Sequence, residues 1–178
     1  MVMAENLSKK SLKLKHVEFV PKLYFAIRIR GAPGMNQKIG DTLKMLRMHK
    51  LNHGVLLWVD KPTYGMLQKC KDYIAFGEID EKTLVRLIRV RGKIEGNKPL
   101  TDEDLKNLTK YKNIKELAKD LYNGKIKYNS KFLYKVKPVF RLHPPIKGHR
   151  GTIKKHYKEG GTLGYVNIFI NELIHKMI

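Results

Sequence analysis

Apolar and polar residues alternate from Tyr24 to Arg30: Phe25, Ile27 and Ile29 fall on one face of an extended segment, with Tyr24, Arg28 and Arg30 on the other. That period of two predicts a half-buried strand. The Gly31-Ala32-Pro33-Gly34 turn follows, and the period then changes. From Gln37 to His49, Ile39, Leu43 and Leu46 recur at helical spacing, with Lys38, Asp41, Lys44 and Arg47 opposite them. Val55 to Val59 is an unbroken apolar run and predicts a buried strand. Beyond Pro62, a second helix reaching about Ile74 gathers Met66, Leu67, Cys70 and Ile74.

The middle of the chain reads as helical. Asp80 can cap a helix carrying Leu84, Leu87 and Ile88, with Gly92 as its stop. Thr101 through Asp104 approximates a capping box. Asn113 and Glu116 open a further helix with Ile114, Leu117 and Leu121 inward, ended by Gly124. Val139 to His143 predicts a third strand, Phe140 and Leu142 on one face, Arg141 and His143 on the other. The last helix draws its apolar positions from Val166, Phe169, Ile170, Leu173, Ile174 and Met177. Helices that follow successive strands pack most simply on one face of the sheet. The opposite face would then display Arg28, Arg30, Arg141 and His143 to a polyanion, or else simply to water or to a covering C-terminal helix.

Charge sharpens this outline. The chain carries 37 Lys and Arg against 16 Asp and Glu, a net +21 over 178 residues. So large an excess repels itself in a compact state and implies an anionic partner. The charge is unevenly spread: +5 and −2 over residues 1–22, +9 and −3 over 23–77, +11 and −9 over 78–124, and +12 and −2 over 125–178. Two basic regions flank a near-neutral middle. The longest clearly apolar run, Val55 to Val59, is far shorter than the roughly 20 residues that span a bilayer, and residues 1–22 contain no signal-peptide core. The sequence therefore predicts a cytoplasmic or nuclear, nucleic-acid-binding protein with no membrane partner and no small-molecule substrate.

The segment Lys147 to Gly161 is the densest in candidate chemistry. Lys147, Arg150, Lys154, Lys155 and Lys158 stand with His149 and His156 against Glu159 alone, and its glycines let backbone N–H groups approach phosphate oxygens. Tyr157 offers a face for base stacking. The spacings of His143, His149 and His156 fit no common metal motif, and the cationic surroundings disfavour a metal ion, so neither metal nor cofactor is expected. G-x-S-x-G, H-E-x-x-H and Walker signatures are missing, which argues against hydrolase or phosphoryl-transfer chemistry. Gly31 to Gly34 matches G-x-x-G but follows a strand, a poor fit to a KH module. The single cysteine, Cys70, lies among apolar helix positions and reads as core.

Three ordered blocks carry a resemblance. The first is Arg28-Ile29-Arg30-Gly31 with Asp41-Thr42-Leu43-Lys44-Met45-Leu46 and Leu51-Asn52-His53. The second is Gly65-Met66-Leu67-Gln68-Lys69 leading to Ala75-Phe76-Gly77-Glu78. The third is Arg141-Leu142-His143-Pro144-Pro145 with Gly148-His149, ending in Lys158-Glu159-Gly160-Gly161-Thr162-Leu163-Gly164. From about Leu23 onward the chain resembles the large-subunit ribosomal protein family L-thirty, called L-seven in eukaryotes, in its archaeal form. The family pattern usually has Arg before the Gly-Met pair, where this sequence has Tyr64.

The resemblance implies a non-enzymatic constituent of the large ribosomal subunit, bound to 23S-type rRNA near the 5S rRNA region. Its neighbours would be other large-subunit proteins, with 5S rRNA itself a further candidate partner. The expected fold is α+β: a ferredoxin-like three-stranded antiparallel sheet with helices on one face, plus a helical insert and a basic C-terminal loop and helix. Expected boundaries are a basic N-terminal extension at 1–22, the first part of the core at 23–77, the insert at 78–130, and the third strand, glycine-rich loop and last helix at 131–178. The candidate RNA contacts form two surfaces. One holds Arg28, Arg30, Lys38, Lys44, Arg47, His49 and Lys50; the other holds Arg141, His143, Lys147, His149, Arg150, Lys154, Lys155, His156 and Lys158. The alternative is a non-ribosomal RNA-binding protein or ribosome assembly factor.

Overall fold

The computed structural model describes residues 21–109, 111–128 and 135–178. Most of the expected N-terminal extension, and the expected boundary between insert and third strand at 130/131, lie outside those residues. The elements run β1 (Lys22–Arg28), α1 (Gln37–Met45), β2 (His53–Val59), α2 (Lys61–Lys69), β3 (Ile74–Glu78), α3 (Glu81–Arg91), α4 (Asp102–Leu108), α5 (Ile114–Tyr122), β4 (Val139–Arg141), β5 (Gly164–Tyr165) and α6 (Ile170–Met177).

Side-chain caps set the starts of α1, α2 and α4, whereas Asp80 and Asn113 stand ahead of α3 and α5 without a side-chain cap bond. The Asn36 side chain accepts from the Lys38 N–H at 2.9 Å, and the Asp60 carboxylate accepts from the Thr63 N–H at 3.0 Å ahead of Pro62. At α4 the reciprocal capping box forms: the Asp104 N–H donates to Thr101 Oγ1 at 3.2 Å, and the Thr101 N–H donates to Asp104 Oδ2 at 3.1 Å.

The α+β class holds, with a larger sheet than the sequence suggests. Five strands lie in the order β4-β2-β1-β3-β5. The three expected strands are neighbours and antiparallel, but β3 and β5 extend the sheet, and β5 pairs parallel to β3. The second helix ends at Lys69 rather than near Ile74, because Ile74 to Glu78 forms a strand beside β1. The first helix stops at Met45, and α6 starts only at Ile170 after a short 3-10 turn.

Helices cover both faces of the sheet, not one. Tyr24, Ala26, Val55, Val59 and Phe76 pack against Leu43, Leu46, Leu67 and Cys70 of the α1/α2 layer. Phe25, Ile27, Leu56, Ala75 and Phe140 pack against Leu84, Leu87, Leu117, Leu121, Ile170 and Ile174 of α3, α5 and α6. The face carrying Tyr24 and Arg28 is therefore buried under α1 and α2, and the insert and last helix cover the other. Each fully buried Leu, Ile or Phe contributes about 1.5–3 kcal/mol relative to exposure, so two apolar layers outweigh one solvated face. Asn171 fixes α6: its Oδ1 accepts from the Asp80 N–H at 3.0 Å, and its Nδ2 donates to the Glu78 carbonyl at 3.1 Å and the Ile168 carbonyl at 2.7 Å.

Candidate nucleic-acid interface

The strand directions bring the two basic regions to one end of the sheet. Arg28 pairs with Ile74, Ile27 with Gly54, His53 with Arg141, and Ala75 with Gly164. The end of β1, the starts of β2, β3 and β5, and the end of β4 therefore share one pole. Two of the loops leaving that pole, 46–52 and 142–163, are rich in Lys, Arg or His, while 29–36 adds Arg30 and 70–73 adds Lys71. The near-neutral stretch 78–124 leaves from the opposite pole, after Glu78, and the chain returns there at Val139 through 125–138, which carries lysines and no acid.

Two of these loops are tied to the turn between α2 and β3. The Ile29 and Arg30 N–H groups both donate to the Tyr73 carbonyl, at 2.9 and 3.1 Å. Arg30 Nη1 donates to the Asp72 carbonyl at 3.2 Å, and its guanidinium lies 5.1 Å from the Tyr73 ring centroid. From the other side, His156 Nε2 lies 2.9 Å from Asp72 Oδ1. Asp72 thus joins the first basic segment to the glycine-rich one.

Arg28 does not present itself at an open sheet face, as the sequence suggested. It is 6% exposed. Its Nε donates to the Arg30 carbonyl at 3.0 Å, and Nη1 donates to the Met48 and His49 carbonyls at 3.0 and 2.7 Å. Burial holds its pKa below the ordinary guanidinium value. Arg28 shapes the loop that carries Arg47, His49 and Lys50; those three side chains are the exposed ones.

The other candidates divide into outward and inward groups. Lys38, Lys50, Arg141, Lys147, Arg150, Lys154, Lys155 and Lys158 are exposed. Lys44 is exposed but pairs with Asp41 at 3.4 Å. Arg47 and Lys147 hold left-handed backbone at φ 61° and 65°, a conformation that favours glycine. His143 is held in place, its ring nitrogens 2.7 Å from the Pro144 and Ile178 main-chain oxygens. His149 is half-buried, its Nδ1 has no partner, and burial pushes its pKa below the usual imidazole range.

The glycine-rich segment is folded onto itself. The Tyr157 N–H donates to the Leu163 carbonyl at 2.9 Å, the Leu163 N–H to the Lys155 carbonyl at 3.2 Å, and Thr162 Oγ1 to the Arg150 carbonyl at 2.9 Å. A Cβ on Gly151 would collide with the Gly160 carbonyl, and one on Gly161 with the Lys155 carbonyl. These two glycines serve close approach of backbone to backbone. Tyr157 is likewise occupied: its ring stacks on Phe169 with centroids 5.5 Å apart, and the Arg150 guanidinium sits 4.5 Å from its centroid.

Several residues of this pole escaped the sequence reading. His53 is half-buried, and burial first, then Arg141, His49, Lys50 and Arg28, lowers its pKa. Lys176 and Phe169 stand beside Arg150 and Lys158 around one cavity, brought there by the packing of α6. The Leu51-Asn52-His53 block could have pointed to His53; nothing local pointed to Lys176. Among the described residues no cluster of His, Cys, Asp or Glu is arranged to hold a metal ion.

Residues 24–74 match the family model described as ribosomal protein L30p/L7e. The chain is 44% identical over 156 residues to the large ribosomal subunit protein uL30 of Methanocorpusculum labreanum, covering 87% of this chain and 99% of that relative. It is 46% identical over 157 residues to uL30 of Methanosphaera stadtmanae, covering 88% and 100%. With uL30 of Thermoplasma volcanium, identity is 47% over 152 residues, 85% of this chain and 90% of the other. The chain belongs to the L30p/L7e family of ribosomal proteins. It is an archaeal-type member of a structural, non-enzymatic family of the large ribosomal subunit, which works in the cytoplasm. No helix among the described residues is long and apolar enough to cross a membrane. The similarity to these relatives extends well beyond the matched β1-to-β3 core, through most of the chain.

Proposed function

We propose that this structural protein of the large subunit grips 23S-type rRNA near the 5S rRNA region with one pole of its sheet. The observation that carries this is the convergence of the basic loops 46–52 and 142–163 there, while the near-neutral stretch 78–124 leaves from the other pole. Arg47, His49 and Lys50 supply one set of phosphate contacts, with Lys38 and Lys44 on the adjoining helix. Arg141, Lys147, Arg150, Lys154, Lys155 and Lys158 supply the other. Arg28, Arg30, His143 and His156 hold the loops that carry them. Such contacts release counterions and make affinity fall steeply with salt. Neighbouring ribosomal proteins, and 5S rRNA, are the further partners of this reading.

The test is the salt dependence of binding to large-subunit rRNA. Replacing Lys154 and Lys155 together by Ala should weaken binding and reduce the log–log salt slope by about 1.4–1.8, at roughly 0.7–0.9 per lost phosphate contact. An unchanged slope refutes the assignment of the second surface. In a sucrose gradient the protein should co-migrate stoichiometrically with the large subunit through moderate salt; a substoichiometric, salt-labile association would instead mark an assembly factor.

A further inference from the structure

We propose that the cavity between the glycine-rich loop and α6 receives a single unpaired nucleotide of the bound RNA, its base laid on Phe169. The proposal rests on the rRNA-binding reading and specifies which part of the RNA this end of the site takes. The cavity measures about 610 Å³, within the roughly 300–1,000 Å³ of sites that enclose small organic ligands. Val166 and Leu173 give it an apolar floor. Phe169, at its wall, leaves 52% of its surface exposed while the neighbouring Tyr157 ring fixes its orientation.

Duplex RNA has little to place in such a cavity, because its bases are stacked inside and it offers phosphates and sugar hydroxyls. An unstacked base presents a π-face that an aromatic ring can accept, whatever the base. Charge decides between a nucleotide and an apolar side chain of a neighbouring protein. Arg150, Lys158 and Lys176 surround the cavity against Glu172 alone. That excess suits the phosphates on either side of an extruded base, whereas an apolar peptide gains nothing from it. Arg150, stacked over Tyr157, extends the same ladder of planar groups.

The experiment compares the full chain and its variants against two probes, hexaadenosine RNA and a blunt 12-base-pair RNA duplex, by fluorescence anisotropy. Phe169→Leu should weaken hexaadenosine binding by about 5- to 150-fold, the range one base–aromatic stack contributes, and leave duplex binding unchanged. Phe169→Tyr should restore it, and melting temperatures of both variants report whether the fold is intact. A salt-dependent wild type whose Phe169→Leu variant binds the single strand normally, or loses both probes equally, overturns the pocket but spares the rRNA reading. A wild type binding neither probe in a salt-dependent way overturns both. In assembled large subunits, Phe169→Leu should raise dimethyl sulfate reactivity at an unpaired adenine or cytosine. Unchanged rRNA reactivity with loss of a protein crosslink would assign the cavity to a neighbouring protein, and the nucleotide proposal fails.

Discussion

Replacing Arg28 by Met separates a structural arginine from an RNA contact. The substitution keeps an apolar stem of similar reach and deletes three donated hydrogen bonds, to the carbonyls of Arg30, Met48 and His49 at 3.0, 3.0 and 2.7 Å. Hydrogen bonds to a charged group each contribute about 1.5–3 kcal/mol, but Arg30 and His49 are partly open and water can replace two of the partners, so the expected loss is about 2–4 kcal/mol. That is a large share of the roughly 5–15 kcal/mol that holds a domain folded. In urea denaturation, a slope near ~2 kcal/mol/M would convert it into a midpoint shift of about 1–2 M. The salt slope of rRNA binding, measured on the folded variant, should match the wild type because no phosphate contact has been removed. If instead stability changes by less than about 0.5 kcal/mol and the slope falls by roughly 0.7–0.9, then Arg28 touches the RNA and the structural argument is wrong.

Three further outcomes follow from the same structure. Arg47→Gly relieves a left-handed residue at φ 61°; it should stabilise the protein by about 0.5–1 kcal/mol while weakening rRNA binding, and a melting temperature that drops would contradict the strain argument. Cys70 is fully buried and its thiol is pushed up to about 11 by that burial. Iodoacetamide should therefore label it no faster than the protein unfolds, and rapid labelling of the native chain would show otherwise. His53 and His149 are both held below the ordinary imidazole value. The unfolded chain thus binds more protons in the acidic range, so stability is full above about pH 6.5 and declines as pH falls through the lowered values. Melting temperatures from pH 7.5 to 5 should show this decline flattened in the His53→Gln, His149→Gln double variant; an equal decline in that variant refutes the assignment.

What the sequence reveals and hides follows from the reach of each signal. Capping chemistry is local, so Thr101 with Asp104 could be read directly, although α2, expected beyond Pro62, starts at Lys61 under the Asp60 cap. Strand β3 was hidden because Ile74 continues the spacing of Met66, Leu67 and Cys70, and because a central strand buried on both faces lacks alternation. The alternation in β1 was correct, yet its polar-looking face lies under α1 and α2. An arginine on a strand suggests solvent, and only the carbonyls of Met48 and His49 reveal why Arg28 is inside. Among the candidate contacts, the basic loops were legible as composition. Their meeting at one pole was not, since it depends on register between residues as far apart as His53 and Arg141. The joint at Asp72 and the approach of Phe169 to Tyr157 are likewise long-range facts.

The order of the strands also has a consequence for synthesis on the ribosome. β1, β2 and β3 are complete by Glu78, but both outer strands arrive late: β4 closes the β2 edge and β5, at Gly164–Tyr165, closes the β3 edge. At ~5–20 residues per second, the interval between Glu78 and Tyr165 lasts roughly 4–17 s. Over that time a nascent chain would expose the β3 edge, and until Arg141 the β2 edge as well, each a template for strand addition by another chain. The C-terminal segment therefore works as the closure of the fold in time as well as in space.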